Sequence, residues 1–89
     1  SVTIPDSVTE IGRYAFYGCT SLKEVYCRPT TPPEGDYCMF SKNIDGSDLP
    51  IGFMIYVPAS DDDGIINAYK TQTYWSIYAS YIVEYKFTE

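Results

Sequence analysis

One apolar triplet occurs three times along the chain at nearly regular distances, and this repetition limits the fold more than any other feature. Val2-Thr3-Ile4 is followed 23 residues later by Val25-Tyr26-Cys27, and Ile55-Tyr56-Val57-Pro58 restates Val2-Thr3-Ile4-Pro5 further on. The same 23-residue shift carries Gly12 to Gly35 and Phe16 to Met39. Self-similarity at such a period points to stacked coils, each laying one strand beside its neighbour's and sharing a core with it. From Val25 to Ile55 the step is 30 residues, so the second unit carries seven more, and the turn-forming stretch from Lys42 to Pro50 is the place for them.

Within the first unit the apolar spacing fits neither an unbroken helix nor a long strand. It reads as a short strand, a turn at Pro5-Asp6-Ser7, extended chain to Gly12, a helical turn over Arg13–Gly18 and a run from Leu22 into the next strand. Gly18 suits a left-handed stop to that turn. The last third is different. Ser60 is expected to cap a helix whose first turn holds Asp61, Asp62 and Asp63, where the helix dipole favours carboxylates. Ile65, Ile66 and Tyr69 form its apolar stripe, and Trp75, Tyr78 and Ala79 suggest a second short helical stretch. Tyr81–Phe87 reads as a strand with Tyr81, Val83, Tyr85 and Phe87 on one side. A stacked array needs an end piece to hide its last open core, and this segment has that character.

Composition excludes several function classes. The 89 residues carry 12 acids against 6 bases, a net charge of −6. Duplex binding needs phosphates neutralised by Lys and Arg, so nucleic acid is not an expected partner. Histidine is absent, which removes Ser-His-Asp and Cys-His nucleophile systems and His-ligated metal sites. No phosphate-cradling glycine loop or activated nucleophile is present, and the chain is expected to be neither an enzyme nor a cofactor binder. The apolar stretches are strand-sized, well short of the roughly 18 residues of a membrane span. The chain starts at Ser1 with no methionine, basic stretch or apolar run of a signal peptide, and a trimmed or truncated product is the expectation. Cys19, Cys27 and Cys38 are too few for a zinc site and odd in number for a disulfide framework, so three buried free thiols are expected.

The first unit, Val2-x-Ile4-Pro5-x-x-Val8-x-x-Ile11-Gly12-x-x-Ala15-Phe16-x-x-Cys19-x-x-Leu22, with its continuation to Val25 and Cys27, closely resembles the BspA-type leucine-rich repeat. The second is degenerate: Glu34 replaces an apolar residue before Gly35, Lys42 falls where Cys19 maps, and Pro29, Pro32 and Pro33 break its early part. From Ile55 onward the chain is similar to the C-terminal caps of such arrays. The resemblance implies a mixed α/β fold: a right-handed leucine-rich-repeat solenoid fragment of short parallel strands and helical turns, closed by a C-terminal α/β cap. The expected division is repeat units over 1–41, an insertion loop over 42–53 and a capping segment over 54–89, all within one structural domain.

The resemblance also implies a non-catalytic, extracellular or cell-surface module that binds or adheres to extracellular or host proteins, as the C-terminal end of a longer bacterial protein. The alternatives are a purely structural cap without a ligand and a module for neutral polysaccharide. In such a strand the residue between two core positions faces solvent, which places Thr3, Tyr26 and Tyr56 side by side, flanked by Glu24 and Arg28. Adjacent strands lie about 4.8 Å apart, so Tyr26 and Tyr56 are expected to form an aromatic ladder. Glu24, Tyr26, Arg28 and Tyr56 are the candidate ligand-binding residues. Asp61-Asp62-Asp63-Gly64 and the Asn43–Asp48 loop lack the ligand spacing of an EF-hand, and no metal site is expected. The exposed edge of the first strand is a candidate for self-association.

Overall fold

A computed structural model describes residues 1–19, 21–43 and 46–87. Strands β1 (Val2–Ile4), β2 (Glu24–Cys27) and β3 (Met54–Pro58) are followed by helix α1 (Gly64–Thr71), a 3-10 helix (Ser76–Tyr81) and strand β4 (Ile82–Tyr85). The strands form one sheet in the order β1-β2-β3-β4, and every neighbouring pair is parallel. The fold is thus a small mixed α/β unit with a parallel sheet.

The register follows the repeat. Val2, Thr3 and Ile4 pair with Val25, Tyr26 and Cys27, and Val25 and Tyr26 pair with Ile55 and Tyr56. The coils behind the strands also stack at the 23-residue shift. The N–H groups of Ile11, Tyr14 and Phe16 donate to the carbonyls of Glu34, Tyr37 and Met39 at 2.8, 3.1 and 2.9 Å. These are backbone bonds, indifferent to side-chain identity, and they explain why the degenerate second unit still stacks. Glu34 simply points its side chain outward, while Met39 fills the place of Phe16 and is fully buried. Consecutive three-residue turns carry the chain from Gly12 to Cys19, and Gly18, at φ 80°, takes the left-handed stop expected of it.

Alternation along the strands sends Val25, Cys27, Ile55 and Val57 inward, all at 0% exposure. The core they enter is completed by Phe53, Met39 and Ile82 and by three large aromatics of the C-terminal segment, Tyr69, Trp75 and Tyr78. Each of those three places a polar handle. The Tyr69 hydroxyl donates to the Pro29 carbonyl at 2.6 Å, and Trp75 Nε1 donates to the Pro33 carbonyl at 2.8 Å. The Tyr78 hydroxyl accepts the Phe40 N–H at 3.3 Å. The proline-rich stretch lacks the N–H groups for a regular ladder, and two of its carbonyls are satisfied by side chains instead.

Three expectations are corrected. Helix α1 begins at Gly64 rather than behind Ser60, and no acidic residue lies in its first turn. Asp63, the residue before it, sits in the left-handed region at φ 58°, and the Asp62 carboxylate accepts the Gly64 N–H at 2.9 Å. The acidic run therefore folds as a turn, and that hydrogen bond holds the Asp62 carboxyl below its usual range. Ser60 still contributes, since its Oγ accepts the Ile65 N–H at 3.3 Å. Second, Cys27 and Cys38 are buried but Cys19 is exposed, because it lies just past the turn ended by Gly18, on the outside of the coil. Third, Tyr81 does not share a side with Tyr85 and Phe87. It ends the 3-10 helix and packs on the buried Phe53, with ring centroids 5.7 Å apart.

Candidate functional site: an aromatic strand face

The strand residues that alternate outward build a face from three separate strands. Tyr26 of β2 and Tyr56 of β3 are register partners, and their rings stack 4.8 Å apart with planes 14° from parallel. Both are half-buried. Tyr85 of β4 closes on the pair edge-on, 5.4 Å from Tyr26 and 5.5 Å from Tyr56, and is 43% exposed. Phe87 follows at 5.0 Å from Tyr85.

The charged flanks are also where the alternation puts them. Glu24 begins β2 and is exposed. Partial desolvation, then the Glu24 carboxylate and the neighbouring Tyr56 and Tyr85 phenols, raise the Tyr26 pKa above its ordinary value, so this phenol stays neutral across the physiological range. Arg28 is anchored where β1 ends, its backbone N–H donating to the Ile4 carbonyl at 3.0 Å. Its guanidinium carbon lies 5.0 Å from the Phe87 ring centre, within cation–π range. Thr3, Tyr26, Arg28, Tyr85 and Phe87 line a hollow of about 260 Å3.

All four candidate residues, Glu24, Tyr26, Arg28 and Tyr56, therefore lie on one face, and the tyrosine ladder has the geometry its spacing implied. Sequence reasoning left Tyr85 and Phe87 out of the site. Their alternation was visible, but β4 pairs with β3 at Ile55↔Ile82, a step of 27 residues that matches neither earlier interval. The register that sets Tyr85 beside Tyr56 had no repeat to announce it.

The acidic stretches offer a different chemistry. Asp48 closes the insertion loop, its two carboxylate oxygens accepting the N–H groups of Lys42 and Asn43 at 2.7 and 2.9 Å. Desolvation pushes its pKa up, but those hydrogen bonds outweigh it and the net shift is downward. Ile44 and Asp45, part of the same sequence candidate, lie outside the described residues. Among the described residues no three His, Cys, Asp or Glu side chains group to hold a metal. No helix there is long and apolar enough to cross a membrane.

Compared with known families, residues 1–56 match the model of the BspA type leucine rich repeat region, described as six copies. A search of curated proteins finds no match.

Proposed function

The chain belongs to the BspA-type leucine-rich repeat family, and from that premise we propose that it is a protein-binding module whose contact surface is the aromatic face of β2, β3 and β4. The family suggests a repeat-type protein-interaction module and is generally non-catalytic. Its members are typically secreted or surface-displayed, and the proposed setting is adhesion to extracellular or host proteins. The observation that carries the reading is the clustering of Tyr26, Tyr56 and Tyr85 on the outward face while the inward face fills the core. Tyrosine offers large, rigid contact area at low entropic cost and is enriched in binding surfaces for that reason.

Ring orientation favours protein over neutral polysaccharide. A sugar platform needs exposed ring faces, whereas Tyr26 and Tyr56 turn their faces toward each other. The segment 54–89 is at once the proposed closing piece of the array, beyond repeat units over 1–41 and the insertion over 42–53, and the source of Tyr56, Tyr85 and Phe87 in the aromatic cluster. The β1 edge, which carries no charged residue between Ser1 and Ile4, is the proposed site of self-association.

The test is a screen of the chain displayed in many copies, so that avidity rescues weak contacts, against extracellular matrix proteins and neutral polysaccharides. Binding to a protein that weakens with salt is the expected result. Binding to a neutral polysaccharide alone, unmoved by salt, would replace the protein reading.

A further inference from the structure

We infer that the stacked pair of Tyr26 and Tyr56 is an oxidative modification site: a one-electron oxidant acting on the strand face joins the two rings by a carbon–carbon bond, a dityrosine that ties β2 to β3. The inference stands whether or not a partner binds this face. Ring geometry decides where such a bond forms. Each phenol gives up one electron and its hydroxyl proton, leaving a radical spread partly onto the ring carbons beside the oxygen-bearing carbon, in orbitals perpendicular to the ring. Two such carbons therefore meet across ring faces. Tyr26 and Tyr56 are held face to face, centroids 4.8 Å apart and planes 14° from parallel, by the register of their strands. The other close tyrosine pairs meet edge to face: Tyr14 with Tyr17 at 68°, Tyr37 with Tyr74 at 70°, and Tyr85 with Tyr26 and Tyr56 at 68° and 63°. An edge-to-face contact is just as ordinary for aromatic packing, but it points one ring's orbitals at the other's rim.

The face also supplies a way in for the oxidant and a way out for the proton. Tyr26 and Tyr56 are half-buried, but Tyr85 is 43% exposed and its ring meets both, at 5.4 and 5.5 Å. An electron taken from Tyr85 is replaced from the stack across that contact. The Tyr26 phenol is neutral at ordinary pH, so its oxidation must shed a proton. The exposed Glu24 carboxylate, hydrogen-bonded to that phenol, is the base at hand, and the Tyr56 proton passes to water. Once the bond has formed, each joined carbon releases its hydrogen as a proton and each oxygen regains one, which restores two aromatic phenols. The pair loses two electrons and two protons in all, and one hydrogen peroxide, reduced to two waters through a peroxidase, takes them up. The two residues lie 30 apart in the chain, so the bond closes a loop that the unfolded chain leaves open, which favours the folded sheet.

The experiment treats the intact chain, dilute enough that copies rarely meet, with a peroxidase and limiting hydrogen peroxide. The expected product is a monomer lighter by two hydrogens, with dityrosine fluorescence, whose fragment masses place the bond between Tyr26 and Tyr56. It is expected to unfold at higher urea than the untreated chain. Tyr26→Phe and Tyr56→Phe keep the ring and lose the phenol, so each should fold natively and abolish this product, while Tyr85→Phe should slow its formation. The more exposed pairs, Tyr14 with Tyr17 and Tyr37 with Tyr74, provide the contrast within the same molecule. A bond found there in preference, or a product formed equally well in Tyr26→Phe, would overturn the inference. Coupling only between copies, or consumption of the exposed tyrosines without any bond between Tyr26 and Tyr56, would overturn it as well.

Discussion

The two ends of the four-stranded sheet are made from the same kind of strand but finish differently. At the β1 end, Val2, Ile4, Val8, Ile11, Ala15 and Phe16 contribute to the lining of an apolar hollow of about 320 Å3, and Val2 and Phe16 are only half-buried. At the other end Tyr69, Trp75 and Tyr78 lie at 0%, 0% and 1% exposure, each with its polar group hydrogen-bonded. The β4 edge also carries exposed Glu84 and Lys86, charges of the kind that discourage edge pairing. A repeat unit hides its core only with the help of the next unit. Beyond the matched repeats, large aromatics fill the core instead, and two of them, Tyr69 and Trp75, donate to the Pro29 and Pro33 carbonyls.

The largest test of this contrast is paired truncation. Trp75→Ala is expected to lose about 3–5 kcal/mol, the usual result for a fully buried aromatic, and it also leaves the Pro33 carbonyl without its donor. Phe16→Ala at the open end should lose about 1–2 kcal/mol, since that side chain is only partly buried and packs at the margin of the core. Urea denaturation measures both, and equal losses would erase the difference between the ends.

Alkali should act on the closed end. Burial raises the Cys27 thiol to about 12 from an ordinary value of 9.0, with Tyr69 lowering it slightly. The same burial raises the Tyr69 phenol above 10, helped by Cys27. A raised folded-state pKa means the neutral thiol stabilises fully below pH 9 and loses that contribution as pH climbs toward 12. Stability should fall by about 2 kcal/mol between pH 9 and 11. In Cys27→Ala the decline should start later and be shallower, leaving the Tyr69 part above pH 10. A urea midpoint in wild type that stays flat to pH 11 would contradict the packing described for this end.

Smaller effects concern the open edge and the thiols. Self-association through β1 predicts sedimentation that depends on concentration, abolished by Val2→Lys with a stability change under about 1 kcal/mol. A strictly monomeric profile at high concentration would count against it. Finally, a thiol reagent should label Cys19 rapidly in the native chain and reach Cys27 and Cys38 only through opening of the fold. Rapid labelling of all three would mean that the core is looser than its exposures indicate.

The repeat made most of the sheet readable in advance. A 23-residue interval set the β1–β2 register residue by residue, and the candidate site residues Glu24, Tyr26, Arg28 and Tyr56 followed from the strand alternation that the family resemblance implies. Sequence reading lost ground where local chemistry competed with pattern. At Ser60–Gly64 an aspartate side chain captured a backbone N–H and a left-handed residue delayed the helix, which a run of acids and a serine do not reveal. At Tyr81 the chain was still helical, so strand alternation did not apply. The contribution of Tyr85 and Phe87 depended on a pairing interval that occurs once, and no periodicity could supply it.

The central claim is that recognition resides on the tyrosine face, and a Tyr26→Ser/Tyr56→Ser variant tests it most directly. Removing the stack should lower stability by only about 1–2 kcal/mol, so a native circular dichroism spectrum is expected. The account predicts that the folded variant, displayed in many copies beside wild type, loses binding to the protein ligand. A folded variant that binds as well as wild type, or one that no longer folds, would contradict it, the latter by showing that the tyrosines serve the sheet rather than a partner.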